Sequence, residues 1–323
     1  MHRAADPALW TGRADAEEGP RAIRWHQGIR PLLDGAAPGL ALLGFACDAG
    51  VARNHGRTGA AGGPAALRRA LANLAWRRTA PAWDAGDVVV EGDALEEGQR
   101  ELAAAVTRLL DAGHRPVVVG GGHEVAAGSF AGLADHLGRA AGGRPVIGVV
   151  NLDAHLDLRA GRASSGTPFR QIAEVCSGRG RPFRYHCLGV DEGSNTEALF
   201  DTARRLGAGW RRDRDMTPSR LDEVAAELAA FLSTVERVHL TIDLDVLPAG
   251  VAPGVSAPAP RGVALEVIEA LVDTVVASGK LALGEVAELS PPHDPDARTA
   301  RVAARLVEQL GRAPGLALGS RSP

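Results

Sequence analysis

Three short segments hold residues whose types and spacing could do chemistry. They are Gly120-Gly121-Gly122-His123-Glu124, Asp153-Ala154-His155-Leu156-Asp157 and Asp243-Leu244-Asp245. Each follows an apolar run. In an extended segment, residues i, i+2 and i+4 point the same way, so Asp153, His155 and Asp157 would converge on one side, and Asp243 and Asp245 on another. Taken singly, each piece has an ordinary explanation as a turn, a helix cap or a core histidine. Together they place two carboxylates around a buried imidazole and two more beside them. Such a group repels and desolvates itself unless something cationic compensates. Oxygen donors mixed with imidazole, with no thiolate, suit Mn²⁺, Fe²⁺, Co²⁺ or Zn²⁺ and argue against a structural zinc. The six candidates His123, Asp153, His155, Asp157, Asp243 and Asp245 are too many for one ion that keeps an open position. Two ions about 3.5 Å apart, bridged by carboxylates and a water, would use them all and acidify that water to a hydroxide nucleophile.

The elements that must position these residues alternate along the chain. Leu40–Cys47, Val88–Glu91, Pro116–Gly120, Pro145–Leu152, Tyr185–Val190, Val238–Leu244 and Leu281–Leu289 read as buried strands. Pro64–Trp76, Leu95–Ala112, Val125–Leu137, Asn195–Leu206, Pro218–Leu232, Leu265–Ala277 and Ala297–Leu310 read as helices. Alternation of this kind predicts an α/β fold with a mostly parallel central sheet, where ligands bind beyond the carboxyl ends of the strands. Residues 36–323 are expected to form a single catalytic domain, preceded by a loosely ordered N-terminal arm over residues 1–35.

Composition narrows the function. The 323 residues carry 36 basic and 39 acidic side chains, a net charge of −3, with no basic block for nucleic acid. Cys47, Cys176 and Cys187 are too few and too scattered for a disulfide framework. Lys280 is the only lysine, which removes phosphate-loop and Schiff-base chemistry. Neither a membrane span nor a targeting segment is visible, so a cytoplasmic protein with a small-molecule substrate is expected.

Gly-Gly-Gly-His-Glu (120–124), Asn-Leu-Asp-Ala-His-Leu-Asp-Leu-Arg (151–159), Ser-Ser-Gly-Thr-Pro-Phe (164–169), Thr-Ile-Asp-Leu-Asp-Val (241–246) and Ala-Glu-Leu-Ser-Pro (287–291) resemble the ureohydrolases, the family of arginase, agmatinase and formimidoylglutamase. The resemblance runs from about residue 40 to 312, with the motifs in the same order. It implies a three-layer α/β/α fold, two Mn²⁺ per subunit and a homo-oligomer. By the family's pattern, His123, Asp153, Asp157 and Asp243 hold one ion and Asp153, His155, Asp243 and Asp245 the other, Asp153 and Asp243 bridging.

Within the family, Gly-Gly-Gly-His-Glu, Asp-Leu-Arg at 157–159 and Cys-Leu-Gly-Val…Ser-Asn-Thr at 187–196 look like the formimidoylglutamase branch, as does the stretch 50–64. That branch hydrolyses N-formimidoyl-L-glutamate to L-glutamate and formamide, in histidine degradation. Phe169 stands where arginase has a histidine. The alternative is an agmatinase or guanidinobutyrase that releases urea; a metal-binding but catalytically silent homologue is a third reading, opposed by the complete ligand set and Glu288. Glu288 matches the glutamate that pairs with the guanidinium or amidine head. Arg159 suits an anionic tail through a bidentate fork, with Arg57, Arg170, Asn54, Ser165 and Thr167 as further substrate contacts. Asp157 is the expected proton carrier to the leaving nitrogen. Glu124 is a candidate to orient His123.

Overall fold

Runs of β-branched and aliphatic residues alternate faces along the central strands, and the two faces feed two separate cores. Val117 and Val119 join one core and Val118 the other; Leu40 and Leu42 oppose Ala41, Leu43 and Phe45 in the same way. Both faces are therefore apolar, as a parallel sheet covered by helices on both sides requires. The computed structural model describes residues 2–139 and 144–312.

Ten strands form one sheet: β1 (His2–Arg3), β2 (Arg30–Pro31), β3 (Leu40–Ala46), β4 (Ala82–Val89), β5 (Arg115–Val119), β6 (Ile147–Leu152), β7 (Arg184–Val190), β8 (Gly209–Arg212), β9 (Arg237–Asp243) and β10 (Leu281–Ala287). Their order is β1-β4-β3-β5-β10-β9-β6-β7-β8, with β2 also against β4. All pairings are parallel except β1 with β4. Helices Gly63–Ala72, Leu221–Ser233, Leu265–Ala277 and Arg298–Leu310 cover one face; Leu95–Asp111, Val125–Gly138, Pro168–Gly178 and Glu197–Leu206 cover the other. The three-layer α/β/α architecture is thus as the sequence predicts. The strands that precede the chemical segments, β5, β9 and β6, lie at the sheet centre with β10 among them, so their carboxyl ends open onto one place.

Several boundaries differ from the sequence reading. The strand read as Val88–Glu91 spans Ala82–Val89; the part before Val88 carries no apolar run, since Asp84 and Asp87 take buried positions there. The segment from Pro168 is a helix to Gly178, started by a proline in its first turn. The short edge strand β8 carries Trp210 and two arginines and has no apolar run to announce it.

The largest correction concerns the N-terminal arm. Residues 2–31 are tied to the sheet edge at particular points: β1 pairs with β4, Trp25 is fully buried, and Trp10 Nε1 donates to Asp84 Oδ2 at 2.7 Å. Arg3 and Arg68 both reach Asp87, at 2.9 and 2.7 Å. The polar character that suggests a loose arm is used to complete a buried ionic cluster.

Candidate active site

Each chemical segment reaches the site by a different local device. After β5, the glycines of 120–122 bring the backbone close to its neighbours: a Cβ on Gly121 would collide with the Cys47 backbone, and one on Gly122 or Gly50 with the Glu124 carboxyl. His123 follows, only 1% exposed. After β6, the strand ends at Leu152, and Asp157 enters the cluster with a left-handed φ of 47° rather than by continued strand alternation. Asn195 clamps this segment, accepting from Leu156 N at 2.9 Å and donating to Ala154 O at 2.9 Å. After β9, the Asp243 carboxylate accepts from Asp245 N at 2.8 Å and sets the turn. After β10, Glu288 has φ +70°. His55, at φ +60°, borders the same cavity. Three left-handed non-glycine residues around one cavity mark a site where local strain is held by its surroundings.

The carboxylates and imidazoles converge. Nδ1 of His123 lies 3.0 Å from Asp153 Oδ2, 3.0 Å from Asp157 Oδ2 and 3.2 Å from Asp243 Oδ2. It makes a hydrogen bond of proper geometry with none of them. Nδ1 of His155 lies 3.0 Å from Asp245 Oδ2 and 3.5 Å from Asp153 Oδ1. Two donor groups result, His123/Asp153/Asp157/Asp243 and Asp153/His155/Asp245, the donors of each lying within 4.8 Å of one another. A buried imidazole nitrogen surrounded by three oxygens yet bonded to none is the geometry of ligands around a cation, and the residues fit divalent ions of the kind their donor types suggest. Asp153 spans both groups. Asp243, expected as a second bridge, joins only the first, because its other oxygen is turned to the Asp245 amide.

The electrostatics agree. Burial pushes the Asp157 carboxyl up to about 6, with the charge of Asp153 adding to it. Burial, then the charges of Asp245 and Asp153, holds Asp243 well above the ordinary carboxylate range. Burial also raises Asp245, against the pull of His155. Asp153 is the exception: burial opposes ionisation, but the imidazoles of His123 and His155 that face it outweigh burial and lower its pKa. Both imidazoles go up despite burial, because carboxylates face them. These protons stand where positive charge is required, and divalent ions would displace them.

Beside the cluster lies a cavity of about 280 Å³. Its walls include Asn54, Arg57, His155, Asp157, Arg159, Ser165, Asp243, Asp245 and Glu288. The carboxyl of Glu288 accepts from His123 N at 3.0 Å through Oε1 and leaves Oε2 without a partner. Burial and then the neighbouring Glu124 raise it to about 8. Arg159 is exposed, and its guanidinium has no partner among the described residues. Arg57 also borders the cavity, but its guanidinium is tied to the carbonyls of Pro253, Val255 and Ser256.

Other expectations are corrected. Thr167 does not line the cavity: its hydroxyl closes the loop on itself through Ser164 N at 2.9 Å and Ser164 O at 3.0 Å. Arg170 pairs with Glu174 at 3.3 Å along its own helix. Glu124 does not touch His123; its carboxyl accepts from Gly50 N at 3.1 Å, and burial raises it to about 7. Sequence reasoning missed Ser194, Leu199, Ser256 and Ala257, which also line the cavity. They come from loops and a helix remote in sequence; Ser194 lies in the 187–196 motif, which gave it no role, and nothing in the types or spacing of Leu199, Ser256 and Ala257 marks them.

The profile described as "Arginase family" matches residues 38–311. The chain is 59% identical over 314 residues to the formimidoylglutamase of Ralstonia nicotianae, covering 96% of each chain. It is 53% identical to that of Chromobacterium violaceum, covering 95% of this chain and 98% of the other. Among solved structures, it superposes on the formimidoylglutamase of Bacillus subtilis with a TM-score of 0.81 at 20% identity, covering 94% of each, a likeness of fold. The formiminoglutamase of Trypanosoma cruzi with Mn²⁺ gives a TM-score of 0.74 at 28% identity, covering 85% of this chain and 92% of that one.

Proposed function

The chain belongs to the arginase family, whose members are dinuclear metal-dependent, and from that premise we propose that it hydrolyses N-formimidoyl-L-glutamate to L-glutamate and formamide. The observation that carries the substrate choice is Arg159, an unpaired cation on the wall of a cavity whose other charged groups are mostly carboxylates. A substrate with an amidine head and a dicarboxylate tail meets complementary charge at both ends. A guanidino substrate with a cationic tail would face Arg159.

His123, Asp153, His155, Asp157, Asp243 and Asp245 would hold two Mn²⁺ ions. When bound, such ions supply a nucleophilic water at neutral pH and stabilise the negative charge that develops on the reacting group. Glu288, buried and with a free Oε2, takes the cationic head and fixes its orientation; pairing with the amidinium lets its carboxyl ionise. Arg159 binds a tail carboxylate through its fork of donors, and Asn54 and Ser165 offer polar contacts along the wall. In the reaction, a C–O bond forms between water and the formimino carbon, and the bond from that carbon to the glutamate nitrogen breaks. Asp157, on the cavity wall beside the cluster, passes a proton from the attacking water to the departing nitrogen. Arg57 lends its guanidinium to the loop that forms the wall.

The protein is expected in the cytoplasm, a reading supported by three buried, unpaired cysteines. Among the described residues, no helix is long and apolar enough to cross a membrane. The deciding experiment is a substrate panel on Mn²⁺-loaded protein, with glutamate and formamide measured against urea. Glutamate and formamide from formimidoylglutamate are expected; urea from agmatine or guanidinobutyrate with inert formimidoylglutamate would overturn the reading.

A further inference from the structure

On the side of His123 away from the carboxylates lies a buried polar chain. Its Nε2 is 3.0 Å from Thr241 Oγ1, and the Thr241 hydroxyl lies 2.8 Å from Glu285 Oε1. Thr241 and Glu285 are paired across β9 and β10, and Glu285 is in register with Val118 on β5, the strand that leads to His123. His123, Thr241 and Glu285 are exposed by 1%, 0% and 0%. A glutamate in the middle of a central strand is a costly placement without a purpose or a partner.

The directions of these hydrogen bonds follow from proton counting. An ionised carboxylate can only accept, so Glu285 takes the Thr241 proton. The Thr241 oxygen must then accept from His123, which puts the ring proton on Nε2. In the neutral ring, Nδ1, facing Asp153, Asp157 and Asp243, is then left with its lone pair. The pull of His239, 3.5 Å from Glu285 Oε1, favours the ionised form against burial. By contrast, His155 has a side chain 22% exposed, and no described residue holds its second ring nitrogen.

We propose that Thr241 and Glu285 are positioning residues that lock His123 in the Nε2-protonated tautomer, so that one of the two ion sites is preorganised by the protein and the other is not. The inference rests on the metal reading above and asks which residues aim the ligand.

The test is Mn²⁺ titration of the metal-stripped full chain by calorimetry. Thr241→Val removes the hydroxyl at constant shape and is expected to weaken one of the two sites by about 10- to 100-fold, leaving the other near its original affinity. Thr241→Ser restores the hydroxyl and is expected to restore the affinity. In wild-type protein labelled with ¹⁵N-histidine and loaded with diamagnetic Zn²⁺, one metal-bound ring should carry its proton on Nε2, protected from exchange; this needs no variant to fold. Thr241→Val binding both ions like the wild type, or a His123 ring protonated on Nδ1, would overturn the proposal. Wild-type protein that takes up no Mn²⁺ would instead overturn the metal reading beneath it.

Discussion

Two buried acidic clusters divide this molecule, and they are built on opposite plans. At the sheet edge, Asp84 and Asp87 surround the buried Arg68. Asp84 accepts from Arg68 at 2.8 and 2.9 Å, from Trp10 at 2.7 Å and from Gly86 N at 3.0 Å; Asp87 accepts from Arg68 at 2.7 Å and Arg3 at 2.9 Å. Every carboxylate oxygen has a donor, and the charge is met by side chains of the chain itself. At the sheet centre, four aspartates face two imidazoles, and no arginine or lysine among the described residues pairs with them. The edge cluster is complete and ties down the N-terminal residues. The centre is incomplete without external cations, and that incompleteness is what makes it a site.

The contrast can be broken most sharply at Asp243. Asp243→Asn is expected to lower kcat/KM by at least about 10⁴, or about 5 kcal/mol. The metal-free protein should nonetheless gain stability, since the raised pKa of Asp243 reports a carboxylate that prefers to be neutral there. Activity assays beside thermal melts in chelator check both halves. A variant that loses activity and metal-free stability together would put the centre in the same class as the edge.

Next in size is Arg68→Met. It leaves Asp84 and Asp87 buried without their main partner and should cost about 3–5 kcal/mol in denaturant unfolding, with kcat per folded molecule unchanged. Arg159→Ala should leave folding alone and raise KM for formimidoylglutamate by about 10- to 100-fold, or about 1.4–2.8 kcal/mol; unchanged kinetics would remove Arg159 from the substrate.

The smallest effect is linkage to pH in the metal-free protein. Glu124, Glu288 and Asp157 have folded pKa values near 7, 8 and 6, above their ordinary carboxylate values. The folded chain therefore holds protons that the unfolded chain has released. That stability is fully present below about pH 4 and lost as pH rises through 6 to 8. Thermal midpoints in chelator should fall over that interval, and Mn²⁺ should flatten the fall. Glu124→Gln removes one such proton, reducing the slope by at most about 1.4 kcal/mol per pH unit near neutrality. An unaltered slope would mean Glu124 is ionised where it lies.

Much of the centre was legible before any coordinates. The six candidate ligands announce themselves because chemistry needs scarce residue types at strand ends, and apolar runs show where strands end. Glu285 and Thr241 were passed over for the opposite reason: a polar residue inside a strand run reads as noise until its cross-strand partner is known. The edge cluster left no trace in the sequence, since Arg3, Trp10, Arg68, Asp84 and Asp87 span 84 residues and no local pattern joins them. Thr167 and Glu124 were assigned roles by adjacency to the motifs, but their side chains turn to loop and backbone partners instead.

By itself the sequence determined the layered α/β plan, the identity of the donor atoms and their preference for divalent ions, because periodicity and ligand chemistry are local properties. Only the tertiary structure decided which carboxylate is shared by the two donor groups, which arginine stays free on the cavity wall, and which partner a buried imidazole meets. Those depend on which side chains the packing of distant strands brings together, and on which are left without a partner when the chain is folded.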